Sequence, residues 1–414
     1  MYDFIVLADW LEFAVRWLHV ITAIAWIGSS FYFIALDLGL HRDRNLATGA
    51  DGEEWQVHGG GFYHIQKYLV APETMPGDLV WFKWESYATW LSGFALLCLV
   101  YYLGADLYLV DPNVLDIPVW QAIALSIGSL ALGWVLYDQL CKSKLGESPT
   151  TLMILLYIIL VALAWFYTQV FSGRAALLHL GAVTATIMSA NVFMVIIPNQ
   201  KIVVAELIAG RTPDAKYGKI AKLRSTHNNY LTLPVIFMML SNHYPLAFAT
   251  ENNWIIASLV FLMGVTIRHW FNTQHARGGS PTWTWLATVL LFLLIAWLST
   301  APLFRTDPEA EVKLTPAAQR FATADDFAEV ESIVLGRCSM CHASEPFYDG
   351  IPWAPKGVIL ETPEQIAHWA REIYLQAGVT HAMPPANVSF IEPEERAKIT
   401  TWYRRASGQI KEPS

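Results

Sequence analysis

Charge and cysteine are both scarce in this chain of 414 residues. Only 15% of the residues are charged and 54% are hydrophobic, and the mean hydropathy is +0.36. That composition excludes an ordinary water-soluble domain of this length. Of the four cysteines, Cys98 and Cys141 lie in apolar surroundings far upstream of Cys338 and Cys341. A zinc site built on the downstream pair would therefore lack its second half. The first apolar run has neither a basic leader nor a small-residue cleavage site, so it reads as a retained span and not a signal peptide. Nothing resembling G-x-x-x-x-G-K follows the glycines at 59–61, which leaves them a weak phosphate-loop signal. After Leu303 no run is long enough to cross a bilayer.

What is present is a series of long apolar runs near residues 11–36, 84–103, 117–137, 151–171, 175–197, 230–248, 254–272 and 283–303. They predict an all-α, polytopic helical membrane bundle of about eight transmembrane helices over residues 1–303. Pro234 and Pro245 interrupt the sixth run. A linker is expected at 304–322 and a soluble domain at 323–414. Lysines and arginines set the orientation. Lys142 and Lys144 follow the third run; Lys201, Arg211, Lys216, Lys219, Lys222 and Arg224 separate the fifth from the sixth. These loops belong in the cytoplasm. An even number of spans then places both termini outside, which makes the C-terminal domain periplasmic and the chain a multi-pass protein of a bacterial inner membrane. Membrane lipid is an expected partner; nucleic acid is not.

Cys338-Ser339-Met340-Cys341-His342 is a C-x-x-C-H sequence, the attachment site of one covalent haem c. One helical turn presents both thiols to the porphyrin vinyl groups, and His342 supplies the proximal nitrogen to iron. Thr323-Ala-Asp-Asp326 reads as the start of the helix leading into that turn. Thr362-Pro363-Glu364-Gln365 reads as another helix start, with an end at Gly378, and a last helix is expected from about Pro393 to Ala406. Met383, in the intervening His381-Ala-Met383-Pro384-Pro385 loop, is the expected second iron ligand, with His381 its rival. The pattern is that of a class I-like cytochrome c domain.

Ionisable residues within apolar spans are expensive and hence functional candidates. Glu12, Arg16 and His19 share one stripe of the first span, and His179 lies on the fifth. At the opposite depth, His227, Asn228 and Asn229 open the sixth span, and Arg268 and His269 end the seventh. Two consecutive spans joined by a short loop are expected to be antiparallel partners, so these five residues are candidates for one catalytic site. The loop at 37–83, carrying His58-Gly-Gly-Gly-Phe-Tyr-His64, is too long and too aromatic for a plain connector.

Arg16-Trp-Leu-His-Val20, Ala25-Trp-Ile-Gly-Ser-Ser-Phe31, Gly59-Gly-Gly-Phe-Tyr-His64, Ser225-Thr-His-Asn-Asn-Tyr-Leu-Thr-Leu-Pro234 and the terminal C-x-x-C-H together resemble the bacterial membrane-bound urate hydroxylases. The resemblance covers essentially the whole chain. It implies oxidation of urate to 5-hydroxyisourate, with electrons leaving through the fused haem to a periplasmic or membrane respiratory acceptor. More distantly, the Trp-x-His span resembles the first helix of copper-resistance membrane proteins and of a haem b-binding membrane protoporphyrinogen oxidase. That likeness makes His19 a candidate ligand for a haem b, with His179 as the partner. The expectation is thus an oxidoreductase using urate as substrate. The alternative is a membrane electron-transfer subunit with b- and c-type haems, linking quinol to a periplasmic acceptor.

Overall fold

The computed structural model describes residues 4–69, 72, 76–300, 314–351 and 353–409. The chain is mostly helical. Helix α1 spans Phe4–Gly39 and is followed by a hairpin of β1 (Ala50–His58) and β2 (Gly61–Tyr68). Helix α2 (Trp84–Leu96) continues as a π turn over Leu97–Tyr102, and a short α3 (Ala105–Tyr108) follows. Then come α4 (Val119–Lys142), α5 (Pro149–Val170), α6 (Gly173–Ala190), a second π turn (Asn191–Ile196) and α7 (Ile197–Ile208). Helices α8 (Ala215–Ser241), α9 (Pro245–Phe248), α10 (Asn253–His275) and α11 (Trp283–Thr300) complete the first part.

Six of these segments are long and apolar enough to cross a membrane: Val6–Gly39, Val119–Lys142, Pro149–Val170, Gly173–Ile208, Asn253–His275 and Trp283–Thr300. Helix α2 with its π turn, and α8, run alongside them. The second and sixth runs read from hydropathy correspond to these two. The sixth differs from expectation. Helix α8 begins 15 residues before residue 230, contains Pro234, and stops at Ser241; Pro245 opens the separate α9.

Local chemistry explains several boundaries. Ser148 caps α5 by accepting from the Thr151 N–H, with Pro149 in the first turn, and Ser172 caps α6 in the same way. Pro198 lacks the N–H that would bond back one turn, and the adjoining turn of α6–α7 is widened into the π form. Gly264 lets α10 approach α8 at its proline: a Cβ there would lie 2.5 Å from Pro234 Cδ.

Helix α6 is the centre of the bundle, with Leu177, Leu180, Val183 and Ile187 at 1% exposure or less. Helices α4, α5, α8 and α10 pack around it. At the margin, α1 and α11 expose Trp17, Ile24, Leu286, Leu290 and Phe292. In water such a surface would be unstable; against lipid it costs nothing.

The second core belongs to α12 (Pro316–Ala322), α13 (Phe327–Arg337), α14 (Pro363–His368), α15 (Ala370–Ile373), a π turn at Tyr374–Val379 and α16 (Pro393–Ala406). Within the expected linker, residues 304–313 lie outside the described residues, but α12 packs Phe321 against Trp402 and Tyr403 of this core. Asp326 stands just before α13 with its carboxylate turned to Arg405 at 3.2 Å, whereas Thr323 ends α12 instead of starting the next helix. Thr362 and Gln365 form the expected reciprocal capping box.

The all-α expectation has one exception, the β1–β2 hairpin. Gly59 and Gly60, at φ +59° and +80°, make its two-residue turn. Two successive positive φ values suit a type I′ turn, which is what the glycines supply.

Candidate functional site

Two clusters of buried polar side chains flank α8 at the end of the bundle rich in lysine and arginine. The first lies between α8, α4 and the π turn after α6. His227 is 1% exposed, and its Nδ1 lies 2.8 Å from the Tyr137 hydroxyl. Asn191 Nδ2 donates to that hydroxyl at 3.2 Å and to Asn228 Oδ1 at 2.9 Å. Arg224 donates to Asn191 Oδ1 at 3.1 Å and to Asp138 Oδ1 at 2.7 Å, and its guanidinium sits 4.8 Å from the Tyr137 ring centre. Asn228 is held by donation to the Met188 carbonyl. His227 Nε2 is buried without a hydrogen-bond partner. A cleft of about 650 Å³ opens beside this network, lined by Lys142, Lys144, Lys219 and Arg224 among others. Glu147 also lines it, and Asp138 pairs with both Lys142 and Arg224, which leaves the cleft with an excess of positive charge.

The second cluster lies on the other side of α8, toward α10 and α1. Arg268 donates to Asn229 Oδ1 at 3.2 Å and to Asn272 Oδ1 at 2.9 Å, and its guanidinium lies 4.1 Å over Phe31. Asn229 Nδ2 is buried without a partner.

The five residues expected in one catalytic site therefore divide. His227 and Asn228 join the first cluster; Asn229 and Arg268 form the second, because residues two apart on a helix face nearly opposite ways. His269 belongs to neither. It sits against Trp283 of α11, with 6.0 Å between rings. Tyr137 and Asp138 went unnoticed in the sequence, and Arg224 stood out there only as a loop cation. A polar pair interrupting an apolar run was the available signal.

His19 and His179 also face different neighbours. His19 Nδ1 lies 3.0 Å from the Thr89 carbonyl and 3.1 Å from Ser92 Oγ on α2. Its ring lies against Gly93, where a Cβ would approach Cε1 to 2.9 Å. His179 is fully buried, with Nε2 at 2.7 Å from Ser126 Oγ and Nδ1 at 2.7 Å from the Ala175 carbonyl. Tyr101, Tyr167 and Phe171 surround its ring. The Nδ1 contact to its own helix orients the ring and turns Nε2 toward Ser126 on α4. His19 is thus held by α2 and His179 by α4 and its own helix, and the two imidazoles share no hydrogen-bond partner.

The C-terminal domain has a narrow crevice bordered by Cys338, Met340, Cys341, His342, Met383 and Pro384. His342 Nδ1 bonds to the Val358 carbonyl at 2.9 Å, which orients the ring and leaves Nε2 for a metal. Burial, with Cys341 adjacent, pushes the Cys338 thiol up to about 12. Arg396 was not singled out by the sequence, yet it pins the Met383 loop. Its guanidinium donates to the carbonyls of Ala377 and Met383 and to Asn387 Oδ1. His381 is exposed and does not border the crevice. Two thiols, an oriented imidazole and a thioether around one crevice suit a covalently held haem with His and Met on iron.

The two domains touch. Tyr108 donates to Glu372 of α15, and Arg371 reaches Asp9 of α1 at 3.5 Å. Burial, reinforced by Glu12 and Asp9, pushes the Glu372 carboxyl up to about 8.

The family model described as urate oxidase N-terminal matches residues 5–299. No curated protein and no solved structure matches the chain.

Proposed function

Because this chain belongs to the urate oxidase N-terminal family, we propose that it oxidises urate to 5-hydroxyisourate and delivers the electrons to a haem c carried by its own C-terminal domain. Family membership supports urate-related oxidoreduction. The acceptor, the site and the sidedness are our reading of the residues.

The observation that carries the site is Arg224. It borders the cationic cleft and is also part of the buried network that includes His227. Urate is a planar monoanion at neutral pH, and its oxidation releases two electrons and two protons while water adds at C5. Lys142, Lys144 and Lys219 draw the anion in, and Arg224 offers guanidinium N–H groups to its oxygens. Asn191 and Asn228, tied to each other, hold the amide edge of the site. His227 Nε2, lacking a partner in the protein, takes the proton from the ring nitrogen or from water, while Tyr137 at Nδ1 fixes the imidazole. Asn229 and Arg268 form a separate polar cluster across α8 and take no part in this site.

A haem c held by Cys338 and Cys341, with His342 and Met383 on iron, would supply one-electron acceptance and onward transfer. Arg396 keeps Met383 on its side of the crevice, and Glu372 with Tyr108 holds the domain on the bundle. The basic loops support a urate site at the cytoplasmic face of a bacterial inner membrane and a cytochrome domain in the periplasm, near its respiratory acceptor.

Anaerobic addition of urate to the purified protein tests the reading. Reduction of haem c, followed in the visible α-band, is expected. Reduction by quinol but not by urate would favour an electron-transfer subunit instead.

A further inference from the structure

The β1–β2 hairpin has two unlike faces. On one, Gln56 accepts from the Tyr32 hydroxyl at 2.7 Å, Lys67 pairs with Asp37, and the Glu54 carboxylate lies against Gly39. These contacts lay the hairpin along the last turns of α1. The opposite face carries Trp55, Val57 and Phe62, which are 56%, 69% and 77% exposed. Between Trp55 and Tyr63 there is no Asp, Glu, Lys or Arg.

The direction of the hairpin decides what that face meets. His41 bridges antiparallel to Glu53, so β1 turns back along the helix it has just left. At about 3.3 Å per residue, Val57 lies roughly 13 Å closer to the bundle centre than the bridge. At 1.5 Å per helical residue that depth is near Tyr32 on α1, in agreement with the Gln56–Tyr32 bond. The same level holds a band of aromatic side chains. Phe33 packs on Phe82 just before Trp84 begins α2, and Arg268 covers Phe31. On the next two residues of α10, His269 meets Trp283 and Trp270 meets Trp285 where α11 begins. Tryptophans clustered where spans start mark the boundary between lipid and water.

We propose that Trp55, Val57 and Phe62 seat the hairpin in the interfacial layer of the lipid bilayer, anchoring the α1–α2 connection to the membrane surface. Three side chains offer on the order of a few hundred Å². That is well short of the ~1,200 Å² total typical of a specific protein interface. A headgroup layer asks for no complementary shape. The inference rests on the reading that α1, α2 and α11 span a bilayer, and the test separates the two.

Phe62 is replaced by photoreactive p-benzoyl-phenylalanine in the full chain, reconstituted in vesicles of phosphatidylcholine and phosphatidylglycerol. Leu290, exposed on α11, carries the same probe in a parallel sample. After irradiation, intact mass is expected to rise by one phospholipid for both probes. A lipid adduct at Leu290 with none at Phe62 overturns the anchor while leaving the spans in place. A product of twice the chain mass from the Phe62 probe overturns it in favour of a second copy. Lipid captured at neither position overturns the membrane placement and the anchor together.

Discussion

Replacing His227 with Gln separates a catalytic imidazole from a structural one. The side chain is 1% exposed, and only its Nδ1 has a partner, the Tyr137 hydroxyl at 2.8 Å. Gln is of similar size and can keep one hydrogen bond to Tyr137. The other half of the Gln amide takes the place of Nε2, which already lacks a partner, so no neighbouring group loses one. The stability cost should therefore be about 1 kcal/mol, that of one altered neutral hydrogen bond. The activity cost should be much larger. Loss of a positioned general base is worth roughly 10²–10⁴ in rate, or about 2.7–5.5 kcal/mol at 1.36 kcal/mol per decade. Tyr137→Phe should fall between. It leaves His227 Nδ1 without its partner and costs about 1–3 kcal/mol in stability. The imidazole remains, so turnover should drop only about tenfold. Anaerobic stopped-flow with urate, read at the haem α-band and normalised to haem-stained protein, gives the rate; a thermal midpoint gives the stability. A His227→Gln protein that reduces its haem within threefold of the parent rate would refute the assignment. So would one whose loss of rate simply follows loss of folded protein.

Three further outcomes are expected. Cys338→Ala with Cys341→Ala should abolish haem staining after denaturation while the bundle still inserts; an unchanged stain would rule out thioether attachment there. Met383→Ala should remove the weak far-red charge-transfer band of ferric His–Met haem, and survival of that band would place the second ligand elsewhere. The Glu372 carboxyl is raised to about 8 by burial, so the docked state holds a proton that the free domain, at about 4.5, gives up. Docking stability is then full below pH 4.5 and lost as pH rises through 8. The midpoint of cytochrome unfolding should fall between pH 6 and pH 9 in the parent but stay level in Glu372→Gln, and a parallel fall in both would sink the linkage.

Much of this protein was legible one residue at a time. Long apolar runs became helices because a chain in lipid must satisfy its own backbone, and hydropathy reports that need directly. Thr362, Pro363 and Gln365 announced a helix start because a capping box is local. C-x-x-C-H could be read as a proposed haem attachment site because its atoms lie within one turn. Helix α8 was harder. Its basic first turns hid it from a hydropathy reading, and Pro234 suggested a break that Gly264 on α10 accommodates.

What only the tertiary structure decided is which polar residues meet. His227 and Asn229 stand two apart in sequence, yet helical geometry sends one to Tyr137 on α4 and the other to Arg268 on α10. Arg224 finds Asp138 across 86 residues. His179 meets Ser126 on α4 across 53 residues and a carbonyl of its own helix. The fold-back of the hairpin rests on the bridge between His41 and Glu53 and on the contacts of Gln56 and Lys67 with α1. Sequence patterns carry information over a helical turn or a strand pair. The partner of a buried polar group depends on how whole helices pack against one another, and that exists only once the bundle has assembled.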